Sequence, residues 1–367
     1  MRVGFLGLGR LGLPIAAVLS QHHRVTGYDP APSTASRLKT GHEWEAGLSE
    51  LLNNRIALTQ SADGATWDAD VIVVSVQTPH GDGLDGATDT SRREPFDLAW
   101  LSGALATISS DAPVVVMSTV LPGTCRSLAP LVPGPLIYSP AFPAMGTTVS
   151  DILDPEFVLI GVDKEGDSGA VVEKLWSPFV HAPFITDTWE TIELAKMAYN
   201  TAIGAKTAVA NTVGWLADEV NADGERVMDI LSQATNRITG PAYLSPGLGD
   251  GGACHPRDQL ALSWLAREHG VYDLFSSLIE HRSAHSKWVA EKAEDTAQGL
   301  PIVRLGAAYK AGVSLTDGSP SLLLSNQTGW PVTEALPSEP HCIIIGAPHP
   351  HYASWDFSGH RVVDPWG

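Results

Sequence analysis

The stretch RVGFLGLGRLGLPIAAVLSQHHRVTGYDP, residues 2–30, decides the fold of this chain. Its first five residues predict a buried strand, and the motif Gly7-Leu8-Gly9-Arg10-Leu11-Gly12 follows at once. The segment LPIAAVLSQ has helical apolar spacing, and HRVTGYDP predicts a second strand that ends on Asp29. This order of strand, G-x-G-x-x-G turn, helix, strand and acid is typical of a Rossmann unit that binds a dinucleotide.

Each part of the glycine motif has an expected role at the cofactor. Gly7 makes the turn, and Gly12 allows the helix to pack closely on the strand. Gly9, with its neighbours Arg10 and Leu11, admits the pyrophosphate to the helix N-terminus. Asp29 would accept hydrogen bonds from the adenosine ribose and repel a 2′-phosphate, which favours NAD over NADP.

Two later segments, DVIVVSVQTP (70–79) and APVVVMSTVLPG (112–123), predict further β-branched strands with polar ends. In a parallel sheet such ends lie at the carboxyl edge, where ligands bind. Thr78, Pro79, Ser118 and Thr119 are therefore expected to face the cofactor. Taken singly, each hydroxyl is more often only a strand-end hydroxyl that binds nothing. Strands are also expected in residues 136–140, 155–161 and 183–187.

Composition limits the possible classes of function. The chain has 367 residues and a net charge of −18, which disfavours a nucleic-acid partner. No apolar run approaches the roughly 20 residues that cross a membrane, and the N-terminus does not resemble a signal peptide. The three cysteines have no paired spacing, so we expect a cytoplasmic protein with at least one free thiol. No metal site is expected either.

From Trp189 the sequence predicts a helix of over 30 residues without proline, long enough to bridge domains or pack against another subunit. Lys196 and Asn200 are four residues apart and would project from one face of this helix. The lysine could belong to a site, or its apolar stem could pack while the ammonium reaches water.

The stretch SPGLGDGGACHPRD, residues 245–258, suggests a reactive cysteine. Its glycines permit tight turns and the close approach of a ligand. Cys254 stands at the expected start of a helix, where unpaired N–H groups and the helix dipole favour a thiolate. A buried, inert cysteine beside a loop is the alternative.

Several motifs, in this order, resemble those of the nucleotide-sugar dehydrogenases, the family that includes UDP-glucose 6-dehydrogenase and GDP-mannose dehydrogenase. The likeness covers roughly residues 1–320. Besides the first glycine motif with Asp29, its motifs are EAGL (45–48), VQTP (76–79), STVLPGT (118–124), ELAKMAYN (193–200), NRI (236–238), GLGDGGACHPRD (247–258), GAAYK (306–310) and SPS (319–321).

The resemblance implies an α/β fold in three parts. These are an NAD-binding Rossmann domain (1–187), a central helical domain for dimerisation and substrate binding (188–295) and a shortened C-terminal α/β domain (296–367). It also implies a homodimer in which NAD oxidises a primary alcohol of a nucleotide sugar twice, to the carboxylate.

The resemblance also implies roles for individual residues. Cys254 would capture the aldehyde and form a thioester, Lys196 and Asn200 would stabilise the oxyanion, and Asp258 and Thr119 would direct water. The remaining substrate contacts would be Arg237, Gly251, Arg257 and Lys310.

The chain departs from the family pattern at several positions. Ala141 and Met145 stand where the family has two glutamates, and Arg257 replaces a lysine. Asp317 and Gly318 replace an arginine and a glutamate, and the C-terminal region is short by about one β–α unit. Two other hypotheses therefore stay open. One is a single oxidation that stops at the carbonyl, as in 6-phosphogluconate and 3-hydroxyacid dehydrogenases, which share the lysine and asparagine. The other is a non-catalytic nucleotide-binding protein.

Overall fold

The computed structural model describes residues 1–41, 45–52, 55–79, 94–164, 169–240, 244–249 and 254–366. The chain separates into two compact units, Met1–Ile203 and Gly204–Gly367. The boundary between them falls inside one long helix. None of the helices in the described part of the chain is long and apolar enough to cross a membrane.

The first unit is built on an eight-stranded sheet with the order β3-β2-β1-β4-β5-β6-β7-β8. The first six strands pair in parallel, β7 runs antiparallel to β6, and β8 is parallel to β7. The strands are β1 (Arg2–Leu6), β2 (Arg24–Tyr28), β3 (Ile56–Leu58), β4 (Val71–Val74), β5 (Val114–Val116), β6 (Leu136–Tyr138), β7 (Val158–Val162) and β8 (Phe184–Thr188).

Helices cover both faces of this sheet, and a separate hydrophobic cluster lies on each face. They are α1 (Gly12–Leu19), α2 (Thr34–Thr40), α3 (Leu48–Leu52), α4 (Ala62–Thr66), α5 (Ala99–Ala106), α6 (Thr124–Leu128), α7 (Thr148–Leu153), α8 (Ala170–Trp176) and α9 (Trp189–Glu219). Every residue of α1 is buried, which explains why its sequence is apolar on all sides. Strands β4 and β5 are wholly buried and β-branched, as central parallel strands require.

The second unit contains the end of α9 and a four-stranded parallel sheet with the order β10-β9-β11-β12. Its further elements are α10 (Gly224–Ser232), α11 (Cys254–Glu268), α12 (Leu274–Ala297), β9 (Ile302–Leu305), α13 (Pro320–Thr328), β10 (Val332–Thr333), β11 (Cys342–Ile345) and β12 (Arg361–Val363). Residues 334–341 join β10 to β11 without a helix, so the predicted shortening of this region is present in the structure.

Arg304 is an unusual feature of this small sheet because its side chain is fully buried on β9. Its Nη1 donates to Ser321 Oγ at 3.4 Å and its Nη2 donates to the Trp330 carbonyl at 3.2 Å. Its Nε has no hydrogen-bond partner in the described part of the chain. Burial lowers the pKa of Arg304 to about 10.

The predicted α/β architecture is confirmed, with a Rossmann-like first unit, a 31-residue α9 and a small C-terminal sheet. The sequence patterns did not reveal that β7 and β8 reverse direction. A buried strand has the same β-branched pattern whether it pairs in parallel or antiparallel. Its direction is therefore set by the neighbouring strand with which it pairs in the folded sheet.

Candidate active site

A cleft of about 850 Å³ lies at the carboxyl ends of β1, β2, β4 and β5 in the first unit. All the residues predicted to bind the cofactor line it, except Pro79, whose carbonyl instead accepts a hydrogen bond from Asp97 N at 2.6 Å. The lining residues are Gly7, Gly9, Arg10, Leu11, Gly12, Asp29, Pro30, Ala31, Arg37, Ser75, Val76, Gln77, Thr78, Trp100, Ser118, Thr119 and Met145.

The three glycines of the motif differ in what surrounds them. Gly7 has a φ of +93°, which fits its predicted place in the turn. A Cβ on Gly12 would lie 1.9 Å from the Gly7 carbonyl oxygen and 3.2 Å from Phe5 Cε1, so helix and strand pack too closely for a side chain. A Cβ on Gly9 would meet no atom within 4 Å, so this glycine leaves an open cradle at the start of α1.

Asp29 follows β2 at the rim of the cleft, and the main chain holds its carboxylate. Oδ2 accepts from Leu8 N at 2.8 Å, and Oδ1 accepts from Ala31 N at 2.8 Å and from Thr34 Oγ1 at 3.2 Å. Arg37 on α2 lies close by, with its Nη2 4.0 Å from Asp29 Oδ1. The acid is therefore fixed in place before any ligand arrives.

The hydroxyls at the strand ends bond mainly to the protein. Thr78 Oγ1 donates to the Thr119 carbonyl at 2.7 Å. Ser118 Oγ donates to the Val76 carbonyl at 2.6 Å and accepts from Val76 N at 3.1 Å. These bonds tie the loop after β4 to the loop after β5 and shape the cleft wall.

Helix α9 carries two buried charged side chains onto the neighbouring loops. Glu193 accepts from Gly123 N at 2.6 Å and from Cys125 N at 2.7 Å, which satisfies the first amides of α6. One turn later, Lys196 Nζ donates to the Ala141 carbonyl at 2.8 Å and lies 4.3 Å from the centre of the Phe142 ring. Lys196 is only 7% exposed, and burial lowers the pKa of its ammonium.

Asn200 lies on the wall of a second cavity of about 470 Å³ in the same unit. Aromatic side chains form much of this cavity. Phe142, Phe157 and Tyr199 contact one another edge to face, and Tyr199 Oη donates to Glu156 at 3.1 Å. Lys196 contacts the loop that follows β6, and Asn200 lines a cavity that this loop also lines, a placement that their spacing alone did not indicate.

Cys254 is the first residue of α11 in the second unit, and its thiol is free and exposed. The other two cysteines, Cys125 and Cys342, are buried. Burial, with Glu193 nearby, raises the pKa of the Cys125 thiol far above its usual range. Of the three thiols, Cys254 is the one that solvent and reagents reach.

The loop before Cys254 is anchored to the second unit at residues 247–249. His285 Nε2 lies 2.8 Å from the Gly247 carbonyl oxygen, and Leu248 is buried in the core beside α12 and α13. A Cβ on Gly247 would approach the Trp366 ring to 2.5 Å. Neither Gly247 nor Gly249 has a positive φ. Close packing is what requires glycine at 247.

The remaining predicted substrate residues also belong to the second unit. Arg257 donates to the Asp258 carboxylate through Nε at 2.9 Å and Nη2 at 2.8 Å, so these two neighbours pair with each other. Arg237 and Lys310 are exposed. Gly251 lies outside the described residues.

Comparison with known proteins identifies the family. Residues 1–180 match the NAD binding domain of the UDP-glucose/GDP-mannose dehydrogenase family, and residues 190–283 match its central domain. The GDP-mannose 6-dehydrogenase of Pseudomonas aeruginosa is 30% identical over 351 residues, which cover 89% of this chain and 78% of that protein. This chain belongs to the UDP-glucose/GDP-mannose dehydrogenase family.

A second relative supports this assignment, and a solved structure shows the same fold. The UDP-glucose 6-dehydrogenase of Rickettsia conorii is 26% identical over 343 residues, which cover 88% of this chain and 77% of that protein. A crystal structure of a ternary complex of GDP-mannose dehydrogenase from Pseudomonas aeruginosa has the same fold, with a TM-score of 0.87 at 24% identity. It covers 100% of this chain and 96% of that one. The resemblance inferred from the sequence motifs is confirmed.

This family member is an NAD-dependent dehydrogenase that acts on CH–OH donors. The residues of the cleft fit NAD: the open cradle at Gly9 would give a pyrophosphate access to the N-terminus of α1, and Asp29 would be available to the adenosine ribose. Bound NAD supplies a nicotinamide ring that accepts a hydride from the alcohol carbon.

The two missing glutamates of this dehydrogenase have different consequences. At position 141 the side chain is a methyl group, and only the main-chain oxygen meets Lys196. No salt bridge of Lys196 occurs among the described residues. Met145 is 59% exposed and forms part of the cofactor cleft, where a carboxylate would have added negative charge.

Three functional features escaped the sequence analysis. Arg37 and Trp100 line the cleft from α2 and α5, whose sequences carry no motif. Glu45 is 4% exposed and accepts from Gly146 N at 3.2 Å, Thr148 Oγ1 at 2.8 Å and Val149 N at 3.2 Å. Glu45 belongs to the EAGL motif, but the motif does not indicate which distant amides its carboxylate meets.

Proposed function

We propose that this chain oxidises the primary alcohol of a nucleotide-linked sugar to a carboxylate in two successive oxidations, using Cys254 as the nucleophile. The observation that carries the proposal is Lys196, which is buried on α9 and contacts the loop after β6. Its ammonium donates one hydrogen bond to the residues that the structure describes, at the Ala141 carbonyl. An ammonium has three donors, so two remain for a developing oxyanion.

In the first oxidation the alcohol carbon loses a hydride, and its hydroxyl proton passes to a base or to water. Lys196 and Asn200 stabilise the oxygen as it gains negative charge. Burial strengthens this interaction because fewer water molecules screen the ammonium.

The second stage requires covalent capture of the aldehyde. The Cys254 thiolate forms a C–S bond to the carbonyl carbon, and the oxygen becomes the alkoxide of a thiohemiacetal. Loss of a second hydride gives a thioester, water adds to its carbon, and the C–S bond breaks to release the carboxylate and the thiolate. Each substrate thus consumes two NAD and one water. Asp258 or Thr119 directs that water, since Ala141 offers no carboxylate.

The test is the number of NADH molecules formed per substrate, measured with a panel of UDP- and GDP-linked sugars. Two NADH are expected for the true substrate. One NADH would indicate oxidation that stops at the carbonyl, and none across a broad panel would indicate a nucleotide-binding protein.

Two variants sharpen this test. Cys254→Ser should reduce the yield from two NADH to one, because the aldehyde is no longer captured. Cys342→Ala is the control, since Cys342 is buried on β11 and should keep the yield of two. Full carboxylate production by Cys254→Ser would refute the covalent mechanism.

We also propose a homodimer that covers the middle of α9. Residues 201–209 are all exposed, although they include the apolar Ile203 and Val209 and several alanines. A helix in a monomeric protein normally buries one face against the rest of its own chain. Nine consecutive exposed residues are therefore unusual, because every face of the helix is then in contact with solvent. Light scattering after size exclusion should give twice the mass of 38.9 kDa. Val209→Glu should yield monomers, and a monomeric parent protein would contradict the proposal.

A further inference from the structure

Arg37 is a basic residue of the cofactor cleft with unused hydrogen-bonding capacity. Its side chain is 23% exposed, and Nη2 donates to Thr34 Oγ1 at 3.0 Å. Its Nε is buried and has no hydrogen-bond partner in the described part of the chain. Because Nε is buried, the donors that a ligand in the cleft could reach are those of the two Nη groups, of which Nη2 already contacts Thr34.

Asp29, next to Arg37, would normally exclude a phosphate from this position. Here three protein donors engage its two oxygens, and the Arg37 guanidinium lies 4.0 Å away. A nearby positive charge and these donors offset much of the repulsion that the carboxylate would exert on an anion.

The charge of the cleft lining also favours the binding of an anion. Among the described residues that line the cleft, the charged ones are Arg10, Asp29 and Arg37, so this part of the lining carries a net positive charge in a chain whose net charge is −18. Such a local excess of basic groups is what an acidic protein needs to bind a multiply charged anion.

We propose that Arg37 lets this cleft bind NADP as well as NAD, with its guanidinium beside the 2′-phosphate of the adenosine ribose. The inference rests on the proposed binding of the dinucleotide in this cleft. A guanidinium presents a planar fork of donors that matches a phosphate, and an Arg near the ribose is the usual means of accepting the 2′-phosphate. Asp29 remains available to the 2′-hydroxyl of NAD. Arg37 therefore reduces the expected preference for NAD over NADP but does not reverse it.

The experiment measures the binding of NADH and NADPH to the full-length protein by titration calorimetry. The variants are Arg37→Leu, Arg37→Lys and Lys39→Leu. Lys39 is the matched control because it lies on the same helix but borders a small hollow with Leu52 and Ile56, away from the cleft. Thermal unfolding of each variant establishes that it is folded.

The parent protein should bind NADPH within about thirtyfold of its affinity for NADH. Arg37→Leu should weaken NADPH binding at least about tenfold and NADH binding less than about threefold, since one charge-assisted contact is lost. The NADPH affinity of Arg37→Lys should lie between those of the parent protein and Arg37→Leu. Lys39→Leu should change neither the NADPH nor the NADH affinity by more than about twofold.

A larger preference for NADH in the parent protein overturns the inference and leaves the proposed function standing. Equal losses of both affinities in Arg37→Leu also overturn it, because Arg37 would then serve the dinucleotide in general. If neither dinucleotide binds, the inference and the proposed function both fail.

Discussion

Gly9 and Gly12 belong to one motif but have different surroundings, so alanine at each position should separate cofactor binding from folding. At Gly9 an added Cβ meets no atom within 4 Å, and φ lies outside the left-handed range. We expect Gly9→Ala to change the free energy of unfolding by less than about 1 kcal/mol. Its methyl group would, however, stand where the pyrophosphate approaches α1, so NADH binding should weaken at least about tenfold.

Gly12→Ala is the matched comparison. Its Cβ would lie 1.9 Å from the Gly7 carbonyl oxygen, whereas a carbon–oxygen contact is normally about 3.3 Å. The clash is with backbone, so the turn and α1 must move apart, at a cost of about 3 kcal/mol. For a unit of this size the unfolding temperature should fall by roughly 6–12 °C.

Scanning calorimetry gives the unfolding temperatures, and titration calorimetry gives the affinities for NADH. Gly9→Ala should keep the parent unfolding temperature to within about 4 °C. If Gly9→Ala binds NADH as tightly as the parent protein, the assignment of the cleft is wrong. If Gly12→Ala unfolds at the same temperature as Gly9→Ala, the packing argument is wrong.

Three further predictions concern the buried charged residues. Arg304→Met should raise the free energy of unfolding by about 1–2 kcal/mol, because lowering the pKa from 12.5 to about 10 costs roughly 3 kcal/mol and its two hydrogen bonds return about 1 kcal/mol each. The guanidinium of Arg304 binds its proton more tightly in the unfolded chain than in the folded one. The free-energy cost of burying its charge is therefore full at neutral pH and decreases as pH rises from about 10 to 12.5. A lower urea midpoint for the variant would contradict this prediction. Glu193→Gln should lower stability by about 2 kcal/mol and reduce kcat, since an amide cannot accept both main-chain bonds; an unchanged melting temperature would count against it. Because burial lowers the pKa of Lys196, kcat should decline with rising pH below 10.5, and the activity that remains in Lys196→Arg should lack this decline; a parent profile that is flat to pH 10.5 would exclude the oxyanion role.

The sequence by itself determined the elements that depend on local patterns. The glycine motif specified the turn at Gly7 and the close packing at Gly12, and both are present in the structure. The apolar period from Trp189 specified α9, and Cys254 begins α11 as expected. These predictions hold because backbone periodicity and helix starts are set by neighbouring residues.

Tertiary structure alone decided which side chains meet. Glu193 bonds to an amide 70 residues away, and Glu45 to one 101 residues away. Arg37 lines the cleft from α2, 4.0 Å from Asp29 at the end of β2, although no motif marks it. Ser118 lines the cleft, and its hydroxyl bonds to the main chain of Val76, a partner that no sequence motif indicated. A short motif records how the chain turns locally, whereas the partner of a buried polar group is fixed only when distant loops come within hydrogen-bond distance.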